Sequence, residues 1–223
     1  MTKRILIAFL LCHLSPWALM AQIRYCMTYA DYKEDRWTEL DTLTVKERSR
    51  ASKFWMGGND FQIGATDDSL KKVLRKEAFA IAYGDTLLIN CRKLRYEESS
   101  FGKGYTLAHP YAGRKLCFVS SGPSNGSEYS AAIAGGILFG AVGAGIAGGL
   151  YSSSDLRKTY CFLLGHERRD GTINVHRIDD KYMERYEQSS PDFYADYMSE
   201  KKQKKRQSAA HVLPLLRDWQ LIQ

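Results

Sequence analysis

FAIAYGDTLLINC, residues 79–91, sets two short apolar runs on either side of Tyr83, Gly84 and Asp85. Runs of that length around a Gly-Asp pair read as two antiparallel strands joined by a tight turn. In the second run Leu87, Ile89 and Cys91 fall on one side and Thr86, Leu88 and Asn90 on the other, which is the period a strand imposes.

The pattern repeats outward from this hairpin. Downstream, residues 105–109 and 115–119 make a second pair, with its turn at 110–113 around Pro110 and Gly113. Residues 160–164 and 172–178 make a third, with a turn ending in Asp170-Gly171. Residues 97–104, with two glycines, read as an exposed loop between the first two hairpins. Upstream, residues 23–28 form a strand and 29–39 a turn or short helix. Residues 41–47 alternate, with Leu43 and Val45 on one face, as a half-buried strand does. Residues 54–63 carry Trp55, Phe61 and Ile63 around a Gly57-to-Asp60 turn. Asp67 and Asp68 precede Leu70, Val73, Leu74 and Ala78 at helical spacing, which predicts a short helix capped by one of the aspartates.

Residues 179–223 have helical rather than strand spacing. Asp179 and Asp180 precede Tyr182, Met183 and Tyr186, and Ser190-Pro191 is a start signal with proline at the first helical position. Ala209, Val212, Leu213, Leu216 and Trp219 then recur on one face, with Pro214 as a kink or a new start. Lys201, Lys202, Lys204, Lys205 and Arg206 form a basic run, either a solvated helix face or a patch for anionic lipid or polysaccharide. The predicted class is α+β: one domain over residues 22–223, an antiparallel sheet or small open barrel followed by C-terminal helices.

Into this pattern falls AAIAGGILFGAVGAGIAGGLY, residues 131–151, without a charged residue and bounded by Ser- and Gly-rich segments. Ala132, Gly136, Gly140, Ala144 and Gly148 recur every fourth residue. On a helix they form a groove of small side chains that admits a second helix closely. Such a helix would be about 31 Å long, close to one hydrocarbon core. The stretch lies between two hairpins of one expected sheet, however, and a single crossing would strip the last hairpin from its partners. The expectation is therefore an inserted apolar helix or helical hairpin that leaves the domain and returns on the same side, to dip into a bilayer or pair with copies of itself.

Residues 1–21 open with Lys3 and Arg4, continue with an apolar run and close on Leu19-Met20-Ala21, which predicts a secretory signal peptide cleaved after Ala21. Loss of Lys3 and Arg4 lowers the formal charge from +7 to +5. Four cysteines remain, Cys26, Cys91, Cys117 and Cys161. In an oxidising compartment they allow three disulfide pairings, and buried free thiols are an equal expectation. None has CxxC spacing.

Catalytic signals are weak. Gly143, Gly145 and Gly148 match GxGxxG, but without the strand and helix that would present backbone amides to a pyrophosphate. Of His109, His166, His176 and His211, only His166 and His176 flank one turn and make a pair to test for metal or acid/base chemistry. No serine sits in a GxSxG elbow. No catalytic residue, cofactor site or metal site is assigned, and no nucleic-acid partner is expected.

The close of the signal peptide at Ala21-Gln22, the segments FWMGGND (54–60), YGDTLLINCRKL (83–94), GRKLCF (113–118), DDKYMERY (179–186) and SAAHVLPLL (208–216), and the Gly-rich insert together resemble secreted Bacteroidota proteins that carry a domain of unknown function. That resemblance implies a Gram-negative envelope location, periplasmic or at the outer membrane, and nothing catalytic. The insert is also similar to the glycine-zipper segments of bacterial envelope proteins. The functional expectation is a non-enzymatic envelope protein acting through residues 131–151 on membrane or on copies of itself. The alternatives are a soluble periplasmic ligand-binding module, then a hydrolase or metal-dependent enzyme.

Overall fold

The structure is a computed structural model that describes residues 22–48, 59–123 and 156–222. The signal peptide and residues 131–151 lie outside the described residues.

The hairpin at 79–91 forms as its alternation predicts. Strand β5 (Ala80–Tyr83) pairs antiparallel with β6 (Thr86–Asn90), and Gly84 takes a positive φ of 55° in the turn. Around it, β1 (Ile23–Cys26) joins β5 and carries β2 (Thr38–Leu40) on its other edge, with helix α1 (Tyr29–Lys33) between the two in the chain. On the far side β6 pairs with β9 (Tyr105–Tyr111), which pairs in turn with β10 (Lys115–Ser120). Next come β11 (Tyr160–Glu167) and β12 (Ile173–Arg177). A short pair, β3 (Thr44–Glu47) with β4 (Phe61–Gly64), joins β9 through Phe61.

Two further strands follow, one just before the segment read as an exposed loop and one inside it. β7 (Leu94–Tyr96) pairs parallel with β12, and β8 (Ser99–Ser100) folds back on β7. Nor is Phe101 exposed; it is buried at 2%. The sheet is thus mostly antiparallel, with one parallel pair. Pro110 also departs from the expected turn: it lies inside β9 opposite Leu116, and the turn is tightened at Gly113 instead. β6 pairs with β9 only as far as Ala108, so Pro110 sits beyond the end of that ladder, where β6 requires no N–H from it.

The path from β6 to β7 shows how the sheet bends. Only a 3-10 turn, Cys91–Lys93, joins them, although β9, β10, β11 and β12 lie between them in the sheet. From Asn90 to Leu94 the chain can reach at most about 15 Å. Five inter-strand steps in a flat sheet would need about 24 Å. The sheet is therefore open but strongly curled, and its concave side holds the aromatic core. Phe101, Phe118 and Phe162 meet there with centroids 5.1–5.4 Å apart, alongside Ile89, Leu94 and Val175.

The outer side has two covers. Helix α2 (Asp68–Lys76), capped by Asp67 accepting from the Leu70 N–H, lays Leu74 against Ile63, Ile81, Leu88 and Leu107. The C-terminal helices cover β10 and β11. They are α3 (Asp180–Met183), α4 (Tyr186–Ser189), α5 (Pro191–Met198), α6 (Gln203–Arg206) and α7 (Ala209–Asp218). Their Met183, Phe193, Tyr197, Val212 and Leu216 close on Cys117, Val119, Cys161 and Leu163. Pro214 lies within α7. Bridges Tyr111 to Ile222 and Tyr160 to Ser208 tie this helical part to the sheet.

Candidate functional site

Pairing between β7 and β12 stops after Ile173 with Leu94 and Asn174 with Arg95. Beyond that point the edge of β12 opens into a recess of about 440 Å³, walled by the β7–β8 turn on one side and α3 on the other. β12 sends Ile173 and Val175 into the aromatic core. By strand alternation Asn174 and His176 point to the other face. From α3 and the residues after it come Lys181, Tyr182 and Arg185.

The β7–β8 turn is strained. Glu97 and Glu98 take φ values of 47° and 65°, the left-handed region in which side chains cost about 1–2 kcal/mol each. Asn-Gly or Asp-Gly normally fills such a turn. Arg168 Nη1 lies 3.0 Å from both Glu98 oxygens and fixes that side of it. Glu97 is left exposed at the mouth of the recess.

On the opposite wall the Arg185 guanidinium lies 3.9 Å from the centre of the Tyr182 ring, which in turn stands 6.5 Å from the His176 ring. Gly165 makes this possible. A Cβ there would come within 2.8 Å of His176 Nε2 and 3.0 Å of the Asn174 carbonyl. Burial, then Arg185, then His166 lower the pKa of His176, so the ring is neutral at neutral pH. Arg177 pairs with Asp179 at 3.2 Å and lies over the Tyr160 ring. Lys181 and Arg185 are thus offered as cations beside a neutral imidazole and a phenol. The arrangement can hold an anionic or mixed-charge small molecule, and it contains no nucleophile with a base beside it.

The expected histidine pair does not face across the hairpin. His176 stands opposite Leu163, and the ladder is irregular between Leu164 and Glu167. His166 instead accepts a hydrogen bond from the Asn174 amide, 2.8 Å. Among the described residues no three His, Cys, Asp or Glu side chains converge as a metal set. His109 and His211 lie elsewhere, the first opposite Cys117 and the second 2.9 Å from the Tyr197 carbonyl.

The four cysteines are free and buried. Cys26 and Cys91 join the aromatic core; Cys117 and Cys161, on neighbouring strands, join the core under the C-terminal helices. Burial pushes the Cys26 thiol up to about 12 and raises Cys91 and Cys161 well above the usual range, so these three are not nucleophiles at neutral pH. The basic run divides. Lys201, Lys202, Lys204 and Lys205 are exposed, whereas Arg206 is buried at 8% in a pair with Asp180 and does not share their surface. Ala132, Gly136, Gly140, Ala144 and Gly148, together with the GxGxxG glycines, lie outside the described residues. Among the described residues no helix is long and apolar enough to cross a membrane.

Fold and site together define an α+β domain with a curled, mostly antiparallel sheet and a polar recess at the edge of β12. The chain belongs to a family of unknown function, DUF6563, whose model matches residues 24–223. Neither the curated proteins nor the solved structures contain a match to it.

Proposed function

We propose that the chain is a non-enzymatic protein of a Gram-negative envelope, of Bacteroidota type, exported by residues 1–21 and acting through residues 131–151 on membrane or on copies of itself. One observation supports this topology most directly. Ser120, at the end of β10, is paired with Tyr160, at the start of β11. The chain between them therefore departs from and comes back to the same end of one strand pair. A single passage through a bilayer would put β10 and β11 on opposite sides. Two passages would need about 40 apolar residues, and this stretch has 21. In this reading residues 131–151 insert partly from one side or associate through the row Ala132, Gly136, Gly140, Ala144 and Gly148.

Deletion of residues 131–151 tests the proposal, because Ser120 and Tyr160 are close enough for a short linker. The expected result is that the intact protein sediments with membranes or as an oligomer and the deleted one is monomeric in the soluble fraction. Identical behaviour of the two would overturn it. Gly140→Leu with Ala144→Leu is the finer test, expected to abolish self-association with the sheet unchanged.

The recess beside β12 favours a second reading, a periplasmic ligand-binding module. Lys181→Gln with Arg185→Gln should then remove binding of a small anionic ligand without altering sedimentation.

A further inference from the structure

We infer that the groove between α2 and the 3-10 turn at Cys91–Lys93 binds an anionic polysaccharide. Lys71, Lys72, Arg75 and Lys76 line it from α2, Arg92 lines it from the turn, and Asp68 is the single carboxylate; the groove measures about 290 Å³. Asp68 is committed to Lys71 at 3.0 Å and its side chain is 92% exposed, so it neutralises little. Among the described residues no ion pair joins Lys72, Arg75, Lys76 or Arg92 to a carboxylate. The chain from residue 22 carries +5, and this one groove gathers five cations against one acid.

Helix stability does not account for the arrangement. Arg75 and Lys76, in the last turn, suit the helix dipole. Lys71 and Lys72 lie further from that end, and Lys71 with Arg75 and Lys72 with Lys76 are like-charge pairs four residues apart, which disfavour a helix. Arg92 is on another element altogether.

The two walls are held together from below. Asn90 is fully buried; its amide donates to the Ala78 carbonyl at 2.9 Å, just past α2, and its oxygen accepts from the Arg92 N–H at 3.1 Å. The Tyr105 hydroxyl donates to the Leu74 carbonyl inside α2. The spacing between Arg92 and the α2 cations is thus set before any ligand arrives, and ordering them costs correspondingly less.

The lining also selects the kind of anion. Among the described residues it has no aromatic face on which a nucleobase could stack. Among the described residues it has no apolar side chain to enter a bilayer, and it is concave where a lipid surface calls for a flat or convex one. Cations spread along two open walls match a linear chain with a carboxylate or sulfate on each unit.

Residues 22–223 are tested against immobilised polygalacturonate and dextran sulfate, phosphatidylglycerol vesicles and inorganic phosphate. Lys72→Glu, Arg75→Glu and Arg92→Glu together should weaken polysaccharide binding at least tenfold, flatten its salt dependence and leave the melting temperature unchanged. Lys201→Glu, Lys202→Glu and Lys204→Glu together should change it less than twofold. Lys72→Gln alone, at an exposed position, gives the same direction should the triple variant fold poorly. The inference is overturned if neither polysaccharide binds at low salt, if both triple variants lose affinity equally, or if the groove is needed for vesicles or phosphate but not for polysaccharide.

Discussion

Asp180 and Arg206 are joined by two parallel hydrogen bonds, Nε to Oδ1 at 3.0 Å and Nη2 to Oδ2 at 2.7 Å, which fasten α6 to the start of α3. Tyr197 of α5 adds its hydroxyl to the same Oδ1 at 2.8 Å. Three helices thus share one carboxylate. Asp180→Asn should destabilise the domain by about 2–3 kcal/mol. Arg206→Met should cost a similar amount, and the double variant less than the sum of the two, measured by urea unfolding.

The same group sets a dependence on pH. Arg206 first, then the Tyr197 hydroxyl, hold Asp180 well below the usual carboxylate range. A depressed pKa contributes stability that is complete above the unfolded value, about 3.9, and is lost as pH falls toward the folded one. The stability gap between wild type and Asp180→Asn should be constant from pH 5 to pH 7 and shrink below about pH 4. A gap that narrows between pH 5 and 7 would contradict this.

Glu97 and Glu98 occupy left-handed positions that Asn and Gly fill at lower cost. Glu97→Asn with Glu98→Gly should raise stability by about 1 kcal/mol, net of the lost Arg168 contact. Thermal unfolding with an Arg168→Gln control separates the backbone gain from that loss.

Gly165→Ala should cost about 1–3 kcal/mol, since the new methyl meets the His176 ring. Adding His176→Ala should recover only part of this, because the Asn174 carbonyl still lies 3.0 Å away. A full recovery would show that the backbone contact yields.

A chain of residues 22–223 should show four titratable thiols in denaturant and none reacting quickly when native, with dithionitrobenzoate as probe. Two thiols in denaturant without reductant would mean that one pair is oxidised.

The hairpin at 79–91 was legible because a short apolar run and an alternating one lie on either side of Gly84-Asp85, which breaks them. That an aspartate of each pair, 67–68 and 179–180, would cap a helix was legible for a local reason too, and Asp67 and Asp179 are the ones that accept from an amide three residues on. β7 and β8 were not, because they are three and two residues long and turn through two glutamates rather than through an Asn-Gly pair. Pro110 misled because the end of the β6–β9 ladder that tolerates it depends on where β6 stops. The candidate recess was hidden, since it depends on Arg95 lying beside Asn174, a pairing no local pattern announces. Only Gly165, inside an otherwise apolar strand, marks in the sequence that something passes close by.

The short link Cys91–Lys93 also governs the order in which the protein can fold. Leu94 reaches its strand early in the chain, yet its partner Ile173 arrives only after β9, β10 and β11. Pairings so far apart in sequence are slow to form and leave strand edges open meanwhile. A chain delivered N-terminus first would therefore present the aromatic side of its sheet, with Phe101 and Phe118 uncovered, until β11 and β12 emerge. Aggregation, or capture by a chaperone, has its opening in that interval.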